Sequence, residues 1–218
     1  MESKLISRCR YLFCLLFLWA GLIGLSYSAV ERGKDFVESK SPVPIIPGKI
    51  EVIEFFFYGC AGCYQMQPDL DVWFQENKDR VMRRRIPVAT RSSWESLAKL
   101  YFRLERTNLI MDLHGAVFKA IHEESISLRG DDDQIRWIRE KGVSVSSEEF
   151  FGDERAVDGR IRQANKLVER YGVAVTPTIV IGGKYLTTGG MIGGPERLPL
   201  VLDALVDKAL SMQGQDRQ

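Results

Sequence analysis

"FFFYGCAGCYQMQP", Phe55–Pro68, places two cysteines three positions apart, directly after an aromatic run and directly before residues with helical spacing. The aromatic run belongs to "KIEVIEFFFY" (Lys49–Tyr58), which is rich in β-branched and aromatic residues and apolar apart from its acids. That composition predicts a strand buried on both faces of a sheet. Gly59 ends it. Met66, Leu70, Trp73 and Phe74 then recur at spacings of three and four, which predicts a helix from Ala61 onward. Pro68 inside that pattern is expected to kink or break the helix.

Outward from this junction the pattern alternates and then changes. "RVMRRRIPVA" (Arg80–Ala89) reads as a short second strand, with Arg83–Arg85 as a solvated or edge-strand face. Residues 91–171 read as helical throughout. Ser92 or Ser93 is the expected N-cap of the first of these helices, acids open the stretch at Asp131, and Gly152 and Gly172 act as punctuation. Arg129-Gly130-Asp131 reads as cap chemistry rather than an adhesion signal. "VTPTIVIGGKYLTTGG" predicts a β-hairpin turning at Gly182-Gly183. "GGPERLPLVLDALVDKAL" predicts a closing amphipathic helix opened by Pro195, with a loose polar tail after Met212. Residues 29–48, with three prolines and no periodicity, read as a tether. The order is therefore βαβ, an all-helical stretch, then ββα. The two outer pieces can form one sheet with helices on both faces, and the helical stretch is an insertion between them.

The N-terminus is of another kind. Lys4, Arg8 and Arg10 precede an uncharged span from Tyr11 to Val30, and small residues follow the apolar run at Ser26, Ser28 and Ala29. This reads as a secretory signal peptide cut after Ser28. The alternative is an uncleaved anchor, because the uncharged span approaches the ~20 residues a bilayer requires. Either way, the remainder lies outside the cytoplasm. The chain has 218 residues, of which 45% are hydrophobic and 27% charged, enough for a globular core. Without residues 1–28, the 30 basic and 29 acidic residues become 27 and 28. Near-neutrality gives no electrostatic pointer to nucleic acid.

Cys9 and Cys14 leave with the signal, so Cys60 and Cys63 face an oxidising compartment as the only pair. A structural staple gains its stability by closing a long loop, and two intervening residues close almost none. A metal site needs more ligands. The histidines, His114 and His122, lie eight apart in the helical stretch without a second cysteine pair. Two inert buried thiols are a further alternative. A redox pair fits best: Cys60 precedes a helix, whose free N–H groups and dipole favour a thiolate, and Cys63 lies one turn on, near bonding reach.

Strand, C-x-x-C at a helix start, Thr-Pro before a hairpin and a helical insertion together resemble the thioredoxin fold in its DsbA-type form. Glu54, Phe55, Phe56, Cys60, Cys63 and Tyr64 carry the closest match. The resemblance implies an α/β thioredoxin fold with an all-helical domain inserted between its βαβ and ββα halves. Its parts are a signal peptide (1–28), a first half (29–90), the insertion (91–165) and a second half (166–218). It implies that Cys60 is the exposed nucleophile and Cys63 its buried partner. Pro177 is implied to be a cis-proline beside them, leaving the Thr176 backbone free to pair with an extended substrate. Glu54 is implied to exchange protons with Cys63; the alternative is a plain Arg or Lys partner. Phe57, Tyr58, Met66 and Met191 are candidates for an apolar substrate groove, with simple core as the alternative.

The activity implied is periplasmic disulfide donation to folding exported proteins by a monomer that uses no cofactor or metal. A DsbB-type membrane quinone reductase would reoxidise it. Rival readings are a reductase or isomerase of the same fold, a glutathione-using isomerase, and a non-catalytic chaperone or adaptor. One departure bears on the branch. Ala61-Gly62 stands where these oxidases commonly carry Pro-His, and Thr176 where they usually carry Val. Both imply a less strongly oxidising pair.

Overall fold

The computed structural model describes residues 30–40 and 48–215. The expected signal or anchor over 1–28 lies outside the described residues.

Five strands, β1 (Val37–Glu38), β2 (Ile50–Phe56), β3 (Val81–Pro87), β4 (Thr178–Ile181) and β5 (Tyr185–Thr188), form one mixed sheet in the order β1-β5-β4-β2-β3. β2 (Ile50–Phe56) is the predicted buried strand, and it pairs parallel with β3 (Val81–Pro87) and antiparallel with β4 (Thr178–Ile181). Between β2 and β3 runs α1 (Ala61–Glu76). Five helices follow: α2 (Ser92–Arg106), α3 (Ile110–His122), α4 (Asp131–Glu140), α5 (Ser147–Phe151) and α6 (Glu154–Tyr171). β4 and β5 (Tyr185–Thr188) form the hairpin. Gly182 and Gly183 both adopt positive φ in its turn, which glycine permits at least cost. A short helix α7 (Gly189–Ile192) and a 3₁₀ turn at Pro195–Arg197 lead into α8 (Leu198–Gln215). From β2 onward this is the βαβ–insertion–ββα order read from the sequence.

Strand alternation divides the core into two layers. Ile50 and Val52 of β2, with Ile179 and Ile181 of β4, pack beneath Leu70, Trp73 and Phe74 of α1 and Leu202, Leu205 and Val206 of α8. Ile53, Phe55 and Val180 point the other way, into a layer filled by Leu100, Val117, Phe118 and Ile138 of the inserted helices. The insertion therefore shares the sheet's core.

Four expectations need correction. Pro68 does not break α1, which continues through it. The lost backbone bond costs about 3 kcal/mol, whereas burying Leu70, Trp73 and Phe74 contributes roughly 1.5–3 kcal/mol each. The N-cap of α2 is Arg91 rather than Ser92 or Ser93, and no side chain caps that end. The described part of the supposed tether, 30–40, is docked. β1 (Val37–Glu38) pairs with β5, Phe36 packs edge-on against Tyr185 at 5.6 Å, and buried Asp35 accepts from Arg197 at 2.7 Å. Its prolines suggested looseness; a buried carboxylate with a guanidinium partner supplies the anchor. The chain after Met212 likewise stays helical to Gln215.

Candidate active site

The end of β2 delivers Phe57 and Tyr58 into the core and lets the chain turn at exposed Gly59. Cys60 is the N-cap of α1, with extended backbone angles (φ −92°, ψ 114°), so its sulfur faces the free N–H groups of the first turn. The Cys63 N–H donates to Cys60 Sγ at 3.3 Å. Cys60 is partly exposed and Cys63 is buried; both are free thiols. The two sulfurs are driven apart in acidity. The Cys63 S–H donates to Cys60, and this, helped by the Thr176 side chain and the N–H groups of Cys63 and Gly62, overcomes partial burial and lowers the Cys60 pKa to about 5. Burial pushes the Cys63 thiol well up, and its role as donor to Cys60 adds to that.

Thr176-Pro177 is a cis peptide. The Thr176 carbonyl lies 3.2 Å from Cys60 Sγ, where it accepts from the protonated thiol. A Cβ on Gly62 would lie 3.4 Å from Pro177 Cδ, and one on Gly189 3.3 Å from its Cγ, so glycines let both neighbouring segments close on the proline ring. Beside this ridge runs a groove lined by Gly62, Met66, Pro177, Ile192, Pro195 and Leu198. Of the four side chains expected to line such a groove, only Met66 does. Phe57 and Tyr58 are buried core, and Met191 is not among the groove residues.

Glu54 is buried, opposite Arg85 in the β2–β3 register, and its carboxylate pairs with Arg83 at 2.8 Å and Arg85 at 3.5 Å. Both arginines also pair with Asp71 of α1. The Arg83–Arg85 run is thus on an edge strand as expected, but alternate members turn inward as counter-ions, while Arg84 pairs with Glu51 outside. Glu54 therefore has arginine partners of the kind the alternative names.

Sequence reasoning missed the two histidines, which it weighed only as metal ligands. Both lie on α3 and grip the junction ahead of Cys60. The buried Tyr58 hydroxyl and His114 Nδ1 are 2.9 Å apart, and His114 Nε2 and Gln67 Oε1 are 3.3 Å apart. Gln67 Nε2 donates to Asp71, so its oxygen accepts from His114 Nε2–H, which leaves Nδ1 to accept from Tyr58. Burial holds the His114 pKa well below the usual range, and Arg85 and Arg83 push it the same way. His122 Nε2 meets the Tyr58 carbonyl oxygen at 2.8 Å, and its ring stacks on Tyr64, centroids 4.9 Å apart and planes 3° apart. The helical spacing of eight, which puts both histidines on one face, was the available signal.

A partly exposed, acidic thiol at a helix N-terminus, with a buried, high-pKa thiol one turn on and a proline beside them, has the chemistry that dithiol–disulfide exchange requires. Residues 81–206 match the DSBA-like thioredoxin domain family. The thiol:disulfide interchange protein DsbA of Pseudomonas syringae pv. tomato is 36% identical over 193 residues, covering 87% of this chain and 90% of that protein. The DsbA of Burkholderia cepacia is 32% identical over 214 residues, covering 95% of this chain and 100% of that one. Among solved structures, Pseudomonas aeruginosa DsbA superposes with a TM-score of 0.77 at 35% identity, covering 84% of this chain and 96% of that one. The chain belongs to the DsbA-like family of thiol:disulfide oxidoreductases.

Proposed function

We propose that the protein donates its Cys60–Cys63 disulfide to exported proteins as they fold in the periplasm. The observation that carries this reading is the placement of Cys60 Sγ, partly exposed at the N-cap of α1 and accepting the Cys63 N–H at 3.3 Å, a setting that lowers its pKa to about 5. A pair whose reduced form is held as a stable thiolate gives up its disulfide readily.

A substrate thiolate attacks Cys60 Sγ, and the Cys60–Cys63 bond breaks. Cys63 leaves with the electron pair and takes up a proton, consistent with its raised pKa. A second substrate thiolate then attacks the substrate sulfur of the mixed disulfide. Cys60 departs as the stabilised thiolate, the substrate gains a disulfide, and the protein is left reduced. Pro177 offers no N–H, so the adjoining Thr176 backbone is the edge an extended substrate pairs with. Glu54 is assigned proton exchange with Cys63, despite its two arginine partners. A DsbB-type membrane quinone reductase is the proposed reoxidant, and the working unit a monomer. Among the described residues no helix is long and apolar enough to cross a membrane; residues 1–28 are proposed to export the chain, with an uncleaved anchor as the alternative. The halves at 29–90 and 166–218 and the insertion at 91–165 stand as proposed boundaries.

The mature protein, oxidised, should form disulfides in an excess of reduced, unfolded test protein, and C60S should abolish this. Turnover retained in C60S would end the proposal.

A further inference from the structure

The Val175–Thr176 ridge has a second side. Opposite the apolar groove lies a cleft of about 70 Å³ walled by Val88, Thr90, Arg91, Trp94, Val173 and Thr176. That is about two water volumes, room for one small polar head group. Its Trp94 wall is linked to the active site through Phe57. The Phe57 carbonyl accepts the Cys60 N–H at 2.9 Å, and the Phe57 ring stacks on Trp94, with centroids 4.2 Å apart and planes 11° apart. The Arg91 guanidinium lies over the Trp94 ring at 5.0 Å.

Arg91 differs from the arginines on the neighbouring face. Arg83, Arg84, Arg85 and Arg160 each pair with an acid. Among the described residues the Arg91 side chain has no acid within 4.0 Å and no hydrogen bond, and its guanidinium rests on the indole alone. A guanidinium stacked on a rigid aromatic keeps its planar donor fork while losing little further entropy on pairing. An unneutralised, preordered fork beside a cleft that shares Thr176 with the reactive sulfur is complementary to a carboxylate.

We propose that Arg91 and Trp94 form a specificity subsite for an acidic side chain within two residues of the reacting substrate cysteine. A substrate laid along the Thr176 backbone would put one flank toward the apolar groove and the other over this cleft. The inference rests on the disulfide-donor reading above and adds to it a preference among substrates.

The test uses the oxidised full-length mature protein and three dithiol peptides that differ only in having Glu, Gln or Lys beside the cysteines. In each reaction the peptide dithiol becomes a disulfide and the protein becomes a dithiol. A neighbouring charge also changes the peptide thiol's own acidity, so the readout is the coupling between peptide and variant rather than any single rate. Relative to R91A, the wild type should favour Glu over Gln by about two- to five-fold, the range of a partly exposed ion pair. R91E should favour Lys, and ~1 M salt should remove the coupling. Arg91 is exposed, so both variants keep the core intact. Identical rate ratios in wild type, R91A and R91E would overturn the subsite alone. Failure of the wild type to oxidise any of the peptides would overturn the donor reading, and the subsite with it.

Discussion

Removing the Cys63 thiol while keeping everything else should make Cys60 a weaker acid by a calculable amount. The Cys63 S–H is the largest contributor to the Cys60 pKa of about 5, ahead of Thr176 and the helix N–H groups. A hydrogen bond to a charged acceptor is worth about 1.5–3 kcal/mol, and one pKa unit is 1.36 kcal/mol. C63A should therefore raise the Cys60 pKa by about one to two units, to roughly 6–7. The Cys63 N–H, 3.3 Å from Sγ in the wild type, remains in the variant and keeps the value below that of a free thiol. C63S retains a donor at the same position, and because an O–H donates more strongly than an S–H its Cys60 pKa should stay at or below the wild-type value. The thiolate's ultraviolet absorbance, followed across pH and checked by the rate of alkylation, gives each midpoint. A C63A midpoint within a few tenths of the wild type would refute the reasoning, because the helix terminus alone would then be setting the acidity.

The same thiolate makes stability depend on redox state and pH. The Cys60 pKa is depressed in the folded reduced protein, so its contribution is full above the unfolded thiol value of about 8.5 and is lost as pH falls toward about 5. Denaturant unfolding of the reduced form should lose about 1–2 kcal/mol relative to the oxidised form between pH 7 and pH 5, solvent screening of the half-exposed sulfur holding the loss at or below the upper figure; a gap independent of pH would contradict this. His114, a base held neutral by burial, acts on both redox forms, since the unfolded histidine takes a proton that the folded one refuses. H114L should remove part of the acid sensitivity below about pH 6.5 and leave the buried Tyr58 hydroxyl without its partner. The expected cost is about 1–3 kcal/mol at neutral pH, and an unchanged Tm would count against the network. E54Q should weaken the hold on Arg83 and Arg85. Breaking a fully buried pair costs about 3–5 kcal/mol, and the partial exposure of both arginines brings the expected loss below that. If E54Q lowers stability but leaves the pH dependence of thiol exchange unaltered, the proposed proton exchange with Cys63 fails.

Where one local signal dominated, the sequence could be read directly. The strand of Lys49–Tyr58 announced itself because burial on both faces demands a continuous apolar run, and the hairpin because Gly182-Gly183 supplies the positive φ its turn requires. Cys60 as N-cap followed from its place between that strand and the helix. What stayed hidden depended on distant partners. The 30–40 segment reads as loose until Arg197, far along the chain, is found pairing with Asp35. Arg83 and Arg85 read as solvated until the parallel register sets Arg85 across from Glu54. His114 and His122 could be counted but not assigned, because their partners Tyr58 and Tyr64 lie more than fifty residues upstream.

The redox equilibrium with glutathione tests the central claim most directly. Thioredoxin, with a nucleophile pKa of about 7, has a potential of about −270 mV. Lowering that pKa to about 5 stabilises the reduced form at pH 7 by up to about 2 kcal/mol, or roughly 40–50 mV for two electrons, an upper figure because solvent screens the half-exposed sulfur. The Cys60–Cys63 couple should therefore lie near −220 mV, with the protein largely reduced by glutathione buffers that leave thioredoxin oxidised. A potential at or below about −270 mV would mean that the Cys60 charge does not drive disulfide donation.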